Sequence, residues 1–206
     1  MTLYEMLVRR LGGFFRRIYR LTVIGAENVP EEGAFILGCN HTALFDPIML
    51  ILSVPRTIHF MAKKESFKTP IIGKLMKKLG MIPVNRGTAD LHAMKTTLGY
   101  LKEGGVVGIF PQGTRCPGVD PRTTTPKDGV AMLSYRTGCK VLPAFIKTKK
   151  NKLRPFSKTT VIIGKPLDPS ELGLSGGTPS EYRTATGVIF DRICDLADLP
   201  VQTSGK

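Results

Sequence analysis

The sequence predicts a single α/β domain, in which helices flank a central sheet that is largely parallel or mixed. Short segments rich in β-branched and aromatic residues alternate with helical stretches, and this alternation is typical of a sheet covered on both faces. The length of 206 residues suits one domain with a substantial core. Hydrophobic residues make up 42% of the chain and charged residues 22%, proportions typical of a globular protein rather than a disordered one.

Seven strands and a set of intervening helices account for most of the chain. The strands are predicted at residues 21–24, 35–39, 58–62, 81–85, 106–110, 141–146 and 160–163. Helices are predicted at residues 47–54, 71–79, 89–102, 129–136 and 180–197. No internal repeat or interdomain linker interrupts this order. Residues 21–200 therefore form the predicted domain, between an N-terminal helix at 1–20 and a C-terminal tail at 201–206.

The N-terminal helix is predicted to be amphipathic and basic. Its apolar residues recur at spacings of three and four, with arginines between them, although Gly12 and Gly13 weaken its middle. Two interpretations follow: an interfacial helix whose arginines contact anionic head groups, or a surface helix packed on its own domain. A second basic amphipathic segment at 67–79 favours the membrane surface. We therefore expect a peripheral protein at the cytoplasmic face of the cell membrane, with anionic lipids as partners.

The net charge of the chain implies an acidic partner. Thirty Lys and Arg residues against sixteen Asp and Glu give +14, which suits nucleic acid, an anionic membrane, or an acidic protein or substrate. We expect no nucleic-acid partner, because zinc-ligand spacing, an aromatic RNA-binding signature and Trp are all missing. The four cysteines form no CxxC pair, which indicates reduced intracellular thiols, and no apolar run approaches the length of a membrane span.

His41 and Asp46 are the most informative residues of the chain. They follow the predicted strand 35–39 and are five positions apart, with no Ser or Cys between them. A helix turns about 100° per residue, so the two side chains meet only if His41 lies in a loop and Asp46 at a helix start, which Pro47 favours. Two interpretations remain open. Asp46 only caps the helix, or it orients His41, which then removes a proton from a hydroxyl of the substrate.

Basic and glycine-containing segments follow the other predicted strands. These residues are Lys63 and Lys64 after the third strand, Arg86 after the fourth, and Gly113, Thr114 and Arg115 after the fifth. Ligands of α/β sheets bind beyond the carboxyl ends of the strands, where glycine lets backbone N–H groups approach an anion and arginine offers a planar fork to phosphate. Each segment alone is explained by a turn with a solvated basic residue. Together they predict a phosphate site beside His41.

These segments resemble the motifs of the glycerolipid acyltransferases, in particular the 1-acyl-sn-glycerol-3-phosphate (lysophosphatidic acid) acyltransferases. His41 and Asp46 have the HX4D spacing of the first motif. The second, third and fourth motifs are similar to segments 80–86, 110–115 and 141–145, and segment 62–65 is similar to a family stretch whose first lysine helps bind phosphate. The order and spacing of these motifs extend the resemblance over most of the chain.

The resemblance implies transfer of a fatty acyl group from acyl-CoA or acyl carrier protein to the sn-2 hydroxyl of lysophosphatidic acid, which gives phosphatidic acid. No bound cofactor and no metal are expected. His41 is then the general base and Asp46 orients it. The residues expected to hold the acceptor phosphate are Lys63, Arg86, Gly113, Thr114 and Arg115, and Lys127 is a further candidate for a donor or phosphate contact.

Gln112 departs from the family pattern, which usually has glutamate at this position. An amide donates as well as accepts hydrogen bonds and carries no charge. Because a base at His41 does not require that carboxylate, we expect activity to survive. Three alternatives remain open: another lysolipid acceptor, a thiol enzyme that uses Cys39, and a non-catalytic homologue that binds anionic lipid. Cys39 is also explained as a small buried hydrophobic residue.

Overall fold

A seven-stranded sheet forms the centre of the molecule. The structure, a computed structural model, describes residues 3–85 and 90–199. The strands are β1 (Leu21–Ile24), β2 (Phe35–Cys39), β3 (Ile58–Lys63), β4 (Ile82–Val84), β5 (Val106–Ile109), β6 (Lys140–Thr148) and β7 (Thr159–Ile163). The α-helices of the described residues are α1 (Leu3–Ile18), α2 (Asp46–Ser53), α3 (Pro70–Lys78), α4 (Leu91–Lys102), α5 (Gly129–Thr137) and α6 (Pro179–Asp195).

The sheet is mixed, which confirms the predicted fold class. The strand order is β1-β7-β6-β2-β5-β3-β4, and all neighbours are parallel except β6 and β7. The connection between β6 and β7, residues 149–158, is too short for the crossover that a parallel pair needs. The carboxyl ends of β2 to β6 therefore lie at one edge of the sheet, which we call the carboxyl edge, and the connection 149–158 lies at that same edge.

Alternate residues of β2 divide the core into two layers. Phe35, Leu37 and Cys39 pack with α2 on one face, whereas Ile36 packs with residues of α5 and α6 on the other. Successive side chains of a strand point to opposite faces, so a strand covered on both sides must be apolar throughout. All five residues of β2 are buried accordingly. Because β2 is buried and paired with a strand on each side, the start of the loop that follows it has a fixed position.

The helix α1 is continuous and packs closely on α2. A Cβ atom at Gly12 would lie 3.0 Å from Cδ2 of Leu52, so the glycine permits the close approach of the two helices rather than breaking α1. The Arg16 guanidinium donates a hydrogen bond to the backbone carbonyl of Leu52. Leu11 and Phe14, one turn apart, remain exposed. One part of α1 is therefore packed on the domain while apolar side chains of another part face solvent.

The remaining predicted elements agree with the structure to within a few residues. Ala89, the first residue of the helix predicted at 89–102, lies outside the described residues, as does the predicted tail 201–206. The last helix ends at Asp195 and continues as a short 3-10 turn, Leu196–Asp198, so the predicted end at residue 197 extends into that turn. Within residues 3–85 and 90–199, no helix combines the length and the apolar character needed to cross a membrane.

Candidate active site

The loop after β2 brings His41 and Asp46 together. The Nδ1 atom of His41 lies 2.9 Å from Oδ2 of Asp46, and His41 is 8% exposed while Asp46 is fully buried. The interpretation of Asp46 as a helix cap is wrong, because α2 begins at Asp46 itself with Phe45 as the N-cap, and no side chain caps the helix. The Asp46 carboxylate instead turns back to the loop that carries His41.

The Asp46 carboxylate is held by several hydrogen bonds from the loop. Its Oδ2 atom accepts bonds from the backbone N–H groups of Thr42 (2.5 Å) and Ala43 (2.7 Å), and the Thr42 hydroxyl lies 3.3 Å from Oδ1. Because a carboxylate only accepts, it selects the His41 tautomer with the proton on Nδ1. The Nε2 atom then carries the free lone pair that a general base needs.

An aromatic contact fixes the plane of the His41 ring. The ring of Phe110 stacks on it, with centroids 4.0 Å apart and planes 15° apart, and Phe60 stacks on Phe110 at 5.6 Å between centroids. Phe110 follows β5, which is the neighbour of β2 in the sheet. No role for Phe110 was predicted from the sequence, because the contact depends on strand order rather than on spacing along the chain.

Gln112 holds the backbone of His41. Its Oε1 atom accepts a hydrogen bond of 2.7 Å from the His41 N–H, and its Nε2 donates to Oγ1 of Thr124 at 3.1 Å. The His41 carbonyl accepts a bond of 2.8 Å from the N–H of Cys116. The Thr124 hydroxyl in turn donates to the carbonyl of Pro121 at 2.6 Å. An amide at position 112 satisfies both neighbours, whereas the sequence alone showed only a departure from glutamate.

Asn40 ties the same loop to β6. Its Oδ1 atom accepts a bond of 2.7 Å from the N–H of Ile146, and its Nδ2 donates to the carbonyl of that residue at 3.2 Å. Asn40 is fully buried. In the register of the two strands, Cys39 of β2 pairs with Ala144 of β6, and β6 continues beyond this pair. The Asn40 side chain therefore bonds to Ile146 where the backbone hydrogen bonds between the two strands end. His41 is thus braced from β5 through Gln112 and from β6 through Asn40.

The loop after β5 places a cation beside its glycine. Gly113 has a φ of +66°, which favours glycine, and its N–H bonds to the Phe110 carbonyl at 2.9 Å. A Cβ atom at Gly113 would lie 2.9 Å from Cδ and 3.4 Å from Nζ of Lys127. The Lys127 N–H bonds to the carbonyl of Pro111 at 2.8 Å. Thr114 and Arg115, which follow directly, are exposed.

The other candidate cations have different positions relative to His41. Lys63 is the last residue of β3, is exposed, and lies 3.8 Å from a carboxylate oxygen of Glu65. It reaches the carboxyl edge two strands away from β2. Arg86 lies outside the described residues. The structure therefore gathers His41, Gln112, Gly113 and Lys127 around one loop pair, with Lys63 further along the same edge.

Cys39 is placed as a core residue. It is fully buried in the layer shared with α2, and its thiol contacts Oδ1 of Asn40 at 3.4 Å. Burial first, and then the charge of Asp46, raise the pKa of the Cys39 thiol well above its ordinary value. The thiolate is the nucleophilic form of cysteine, so this environment disfavours a thiol mechanism.

An apolar rim borders the His41 loop and connects it to α1. Leu44 and Phe45 are exposed although they lie directly between the catalytic candidates. The Phe45 ring contacts Phe15 (6.2 Å between centroids) and Tyr19 (6.3 Å), at the end of α1.

These residues form an arrangement suited to proton removal from a hydroxyl next to an anion. A buried carboxylate orients and stabilises the imidazole, and cations of the loop after β5 lie nearby. In residues 3–85 and 90–199, no cluster of three or more His, Cys, Asp or Glu side chains is arranged to hold a metal ion. The structure places Lys63, Thr114 and Arg115 at the carboxyl edge of the sheet.

Comparison with known proteins identifies the family of this chain. The model of the Acyltransferase family matches residues 20–147. The chain is 34% identical over 179 residues to the 1-acyl-sn-glycerol-3-phosphate acyltransferase of Bacillus subtilis (strain 168), over 84% of this chain and 86% of that protein. It is 30% identical over 138 residues to the protein of the same name from Borreliella burgdorferi, over 64% of this chain and 53% of that protein.

The fold is also similar to a solved structure of such a protein. The crystal structure of the 1-acyl-sn-glycerophosphate (LPA) acyltransferase PlsC from Thermotoga maritima superposes with a TM-score of 0.72 at 28% identity, over 97% of this chain and 80% of that one. The family model covers more than half of the chain, including the His41 loop and the loop after β5. The chain is therefore a member of the acyltransferase family.

Proposed function

We propose that this chain transfers a fatty acyl group from an acyl thioester to the sn-2 hydroxyl of lysophosphatidic acid, giving phosphatidic acid. The observation that carries the proposal is the buried His41–Asp46 pair, 2.9 Å apart at the carboxyl edge of the sheet. The names of the relatives from Bacillus subtilis and Borreliella burgdorferi support this acceptor.

The proposed reaction is a direct displacement. Nε2 of His41 removes the proton of the acceptor hydroxyl as the oxygen attacks the thioester carbonyl. The tetrahedral intermediate collapses, the C–S bond breaks, and the imidazolium returns the proton to the leaving thiolate. Asp46 stabilises the imidazolium between these two proton transfers. The product is an ester and a free thiol, and no acyl-enzyme forms.

The acceptor phosphate is proposed to bind beside His41 at the loop after β5. Arg115 offers a planar fork to phosphate, and Lys127 lies against Gly113 in the same loop. Thr114 adds a hydroxyl, and Lys63 approaches from β3. Anchoring the phosphate holds the hydroxyl at a fixed distance from the base, which is how positioning accelerates a bimolecular reaction. Arg86 belongs to this proposed set through its sequence motif.

The acyl donor is proposed to be acyl-CoA or acyl carrier protein. Both are acidic thioesters, which suits the net charge of +14. The mechanism needs no metal and no bound cofactor, since the imidazole supplies the base and the substrate supplies the nucleophile.

We also propose that the chain works as a peripheral protein at the cytoplasmic face of the membrane, on anionic lipids. Lysophosphatidic acid is a lipid of the membrane leaflet. Leu11 and Phe14 of α1 are exposed, Phe14 to 61%, and the same helix carries several arginines. Apolar side chains in the acyl boundary with cations on head groups are the usual pattern of an interfacial helix.

A transfer assay tests the proposed function. Purified protein is offered labelled acyl-CoA or acyl carrier protein together with lysophosphatidic acid, lysophosphatidylcholine or lysophosphatidylglycerol, and products are separated by chromatography. We expect phosphatidic acid as the main product, and none from His41→Ala, with circular dichroism as the check of folding. Full turnover by His41→Ala would overturn the mechanism. Preference for another acceptor would overturn the substrate, and lipid binding without turnover would overturn the activity.

A further inference from the structure

The connection between β6 and β7 carries a dense group of positive charges. We call residues 149–158 the basic hairpin. Its cations are Lys149, Lys150, Lys152, Arg154 and Lys158, all exposed, and the segment contains no Asp or Glu. None of the ion pairs of the described residues involves these five side chains. Neither the family motifs nor the proposed reaction uses this segment.

Phe156 extends from the basic hairpin into solvent. It is 76% exposed, one of the most exposed large apolar side chains of the described residues. Its φ of +63° is unusual for a bulky residue and carries a backbone cost. The neighbouring Leu153, in contrast, packs against the core layer that includes α2. The base of the hairpin is therefore anchored in the domain while an aromatic ring stands out among cations.

The basic hairpin is attached to the end of α1. The Phe156 N–H donates a hydrogen bond of 2.6 Å to the carbonyl of Ile18, the last residue of that helix. This bond satisfies one of the carbonyls that a helix leaves unpaired at its C-terminus. Phe156 is thus joined directly to the helix that exposes Leu11 and Phe14, although the two segments are far apart in the sequence.

The basic hairpin is also attached to the loop after β5, which in turn bonds to His41. The Asn151 carbonyl accepts a bond of 2.8 Å from Gly118, and its Nδ2 donates to the Val119 carbonyl at 3.1 Å. The same loop bonds to the His41 carbonyl through the N–H of Cys116, at 2.8 Å. A short series of backbone bonds therefore links the hairpin to the base, and both lie at the carboxyl edge of the sheet.

We propose that the basic hairpin is a second membrane contact, in which Phe156 enters the acyl boundary of an anionic leaflet and the surrounding cations bind its head groups. This inference rests on the proposed membrane association and adds a specific site to it. A lone cluster of cations would suit any acidic surface. The exposed aromatic ring among them favours lipid, because aromatic residues concentrate at the interface between head groups and acyl chains.

A single tryptophan tests the insertion of this ring. The chain has no Trp, so Phe156→Trp creates a unique fluorophore. We expect its emission to move to shorter wavelength with vesicles of phosphatidylcholine and phosphatidylglycerol, and brominated acyl chains to quench it. Phosphatidylglycerol is neither the proposed acceptor nor the product. The matched control is Val188→Trp, because Val188 is an apolar residue of α6 that is 38% exposed. Its tryptophan should show neither effect.

Charge and side-chain variants test the two parts of the contact separately. Lys149→Gln with Lys150→Gln should weaken partitioning onto these anionic vesicles by roughly tenfold or more, since each interfacial cation contributes about fivefold. The control pair Lys102→Gln with Lys165→Gln removes the same charge from exposed positions at the opposite edge of the sheet. Phe156→Gly removes the ring at a backbone angle that glycine tolerates, so its expected loss of binding is not caused by misfolding.

The outcomes separate the hairpin from the broader membrane proposal. If the Phe156→Trp protein cosediments with anionic vesicles while its tryptophan emission stays as in buffer, the hairpin inference is wrong and membrane association stands. If the protein cosediments with neither neutral nor anionic vesicles, membrane association fails and the hairpin contact with it. An effect of the lysine variants only on turnover with an acyl carrier protein donor would assign the hairpin to that acidic protein and overturn the lipid contact.

Discussion

The Oε1 atom of Gln112 accepts a hydrogen bond of 2.7 Å from the backbone N–H of His41, so the residue that departs from the family motif positions the proposed base. The Nε2 atom of the same amide donates to Thr124. A glutamate would keep the first bond, but the Thr124 hydroxyl would have to turn away from the Pro121 carbonyl to donate to it.

Gln112→Glu is therefore expected to retain kcat/KM within about tenfold, because the carboxylate still accepts the hydrogen bond from the His41 N–H. Gln112→Leu leaves the buried His41 N–H without its acceptor and should cost about 1–3 kcal/mol of unfolding free energy. Steady-state kinetics measures the first effect and urea titration the second, and a much larger loss of kcat/KM in a folded Gln112→Glu protein would contradict this account.

Asp46→Asn separates the charge of Asp46 from its hydrogen bonds. An amide oxygen in place of Oδ2 can still accept from His41, Thr42 and Ala43, whereas the negative charge is lost. We expect kcat to fall by about 10²-fold or more, as for loss of support to a general base, with little change in stability. Asp46→Ala, the comparison variant, should lose a similar activity and also unfold at lower denaturant concentration. Steady-state kinetics measures the change in kcat, and urea titration measures the change in stability. An Asp46→Asn enzyme with the activity of the parent would show that catalysis does not require the charge of Asp46.

Lys127 is predicted to contact the acceptor phosphate rather than the acyl donor. Its ammonium lies against Gly113, in the loop that leads to Arg115. Lys127→Gln should raise KM for lysophosphatidic acid by roughly tenfold, the typical value of one charge-assisted hydrogen bond, and leave KM for the donor unchanged. Lys165→Gln, at an exposed position on the opposite edge, controls for net charge. A rise confined to the donor KM would instead place Lys127 at the donor.

Cys39→Ala should remain active within a few-fold of the parent. The thiol is fully buried and its raised pKa leaves it protonated at neutral pH. The truncation should cost on the order of 1–2 kcal/mol of stability, since it removes a packed sulfur from the core. Alkylation followed by mass spectrometry should modify Cys116 and Cys139, which are half-buried, before Cys39. Loss of turnover in a folded Cys39→Ala protein would revive the thiol mechanism.

Glu181 gives an acid dependence of stability that can be measured directly. Hydrogen bonds from Thr178, Ser175 and Gly176 lower the pKa of its carboxyl from 4.5 to about 2 at the start of α6. A lowered folded-state pKa means that the stabilisation is complete above pH 4.5 and disappears as the pH falls towards about 2. Glu181→Gln should therefore be less stable than the parent at neutral pH, and the difference should shrink over this acidic range. A pH-independent difference in thermal unfolding would refute the assignment.

Much of the fold follows from local patterns. The continuous apolar run of β2 and the alternation of strands with helices predicted a sheet covered on both faces, because burial on two sides leaves no room for polar residues. The loop position of His41 and the helix start at Asp46 were also predicted, since proline after Asp46 suits the first turn of a helix.

The supporting contacts of the site were not predictable in the same way. Phe110 and Gln112 meet His41 only because β5 lies beside β2, and Asn40 meets Ile146 only because β6 lies on the other side. These relationships depend on strand order, which a single sequence does not specify. The direction of the Asp46 carboxylate, towards the loop rather than the helix, likewise results from the tertiary path of the chain.

The antiparallel pairing of β6 with β7 determines at which edge of the sheet the N-terminal helix ends. β1 runs parallel to β7 and hence opposite to β2, so its first residue, not its last, stands at the edge that bears His41. The helix before β1 must end at that edge as well. Had β7 run the other way, the same helix would end on the far side of the molecule. One change of strand direction thus brings the end of the N-terminal helix to the edge of the sheet that also carries the His41 loop and the basic hairpin.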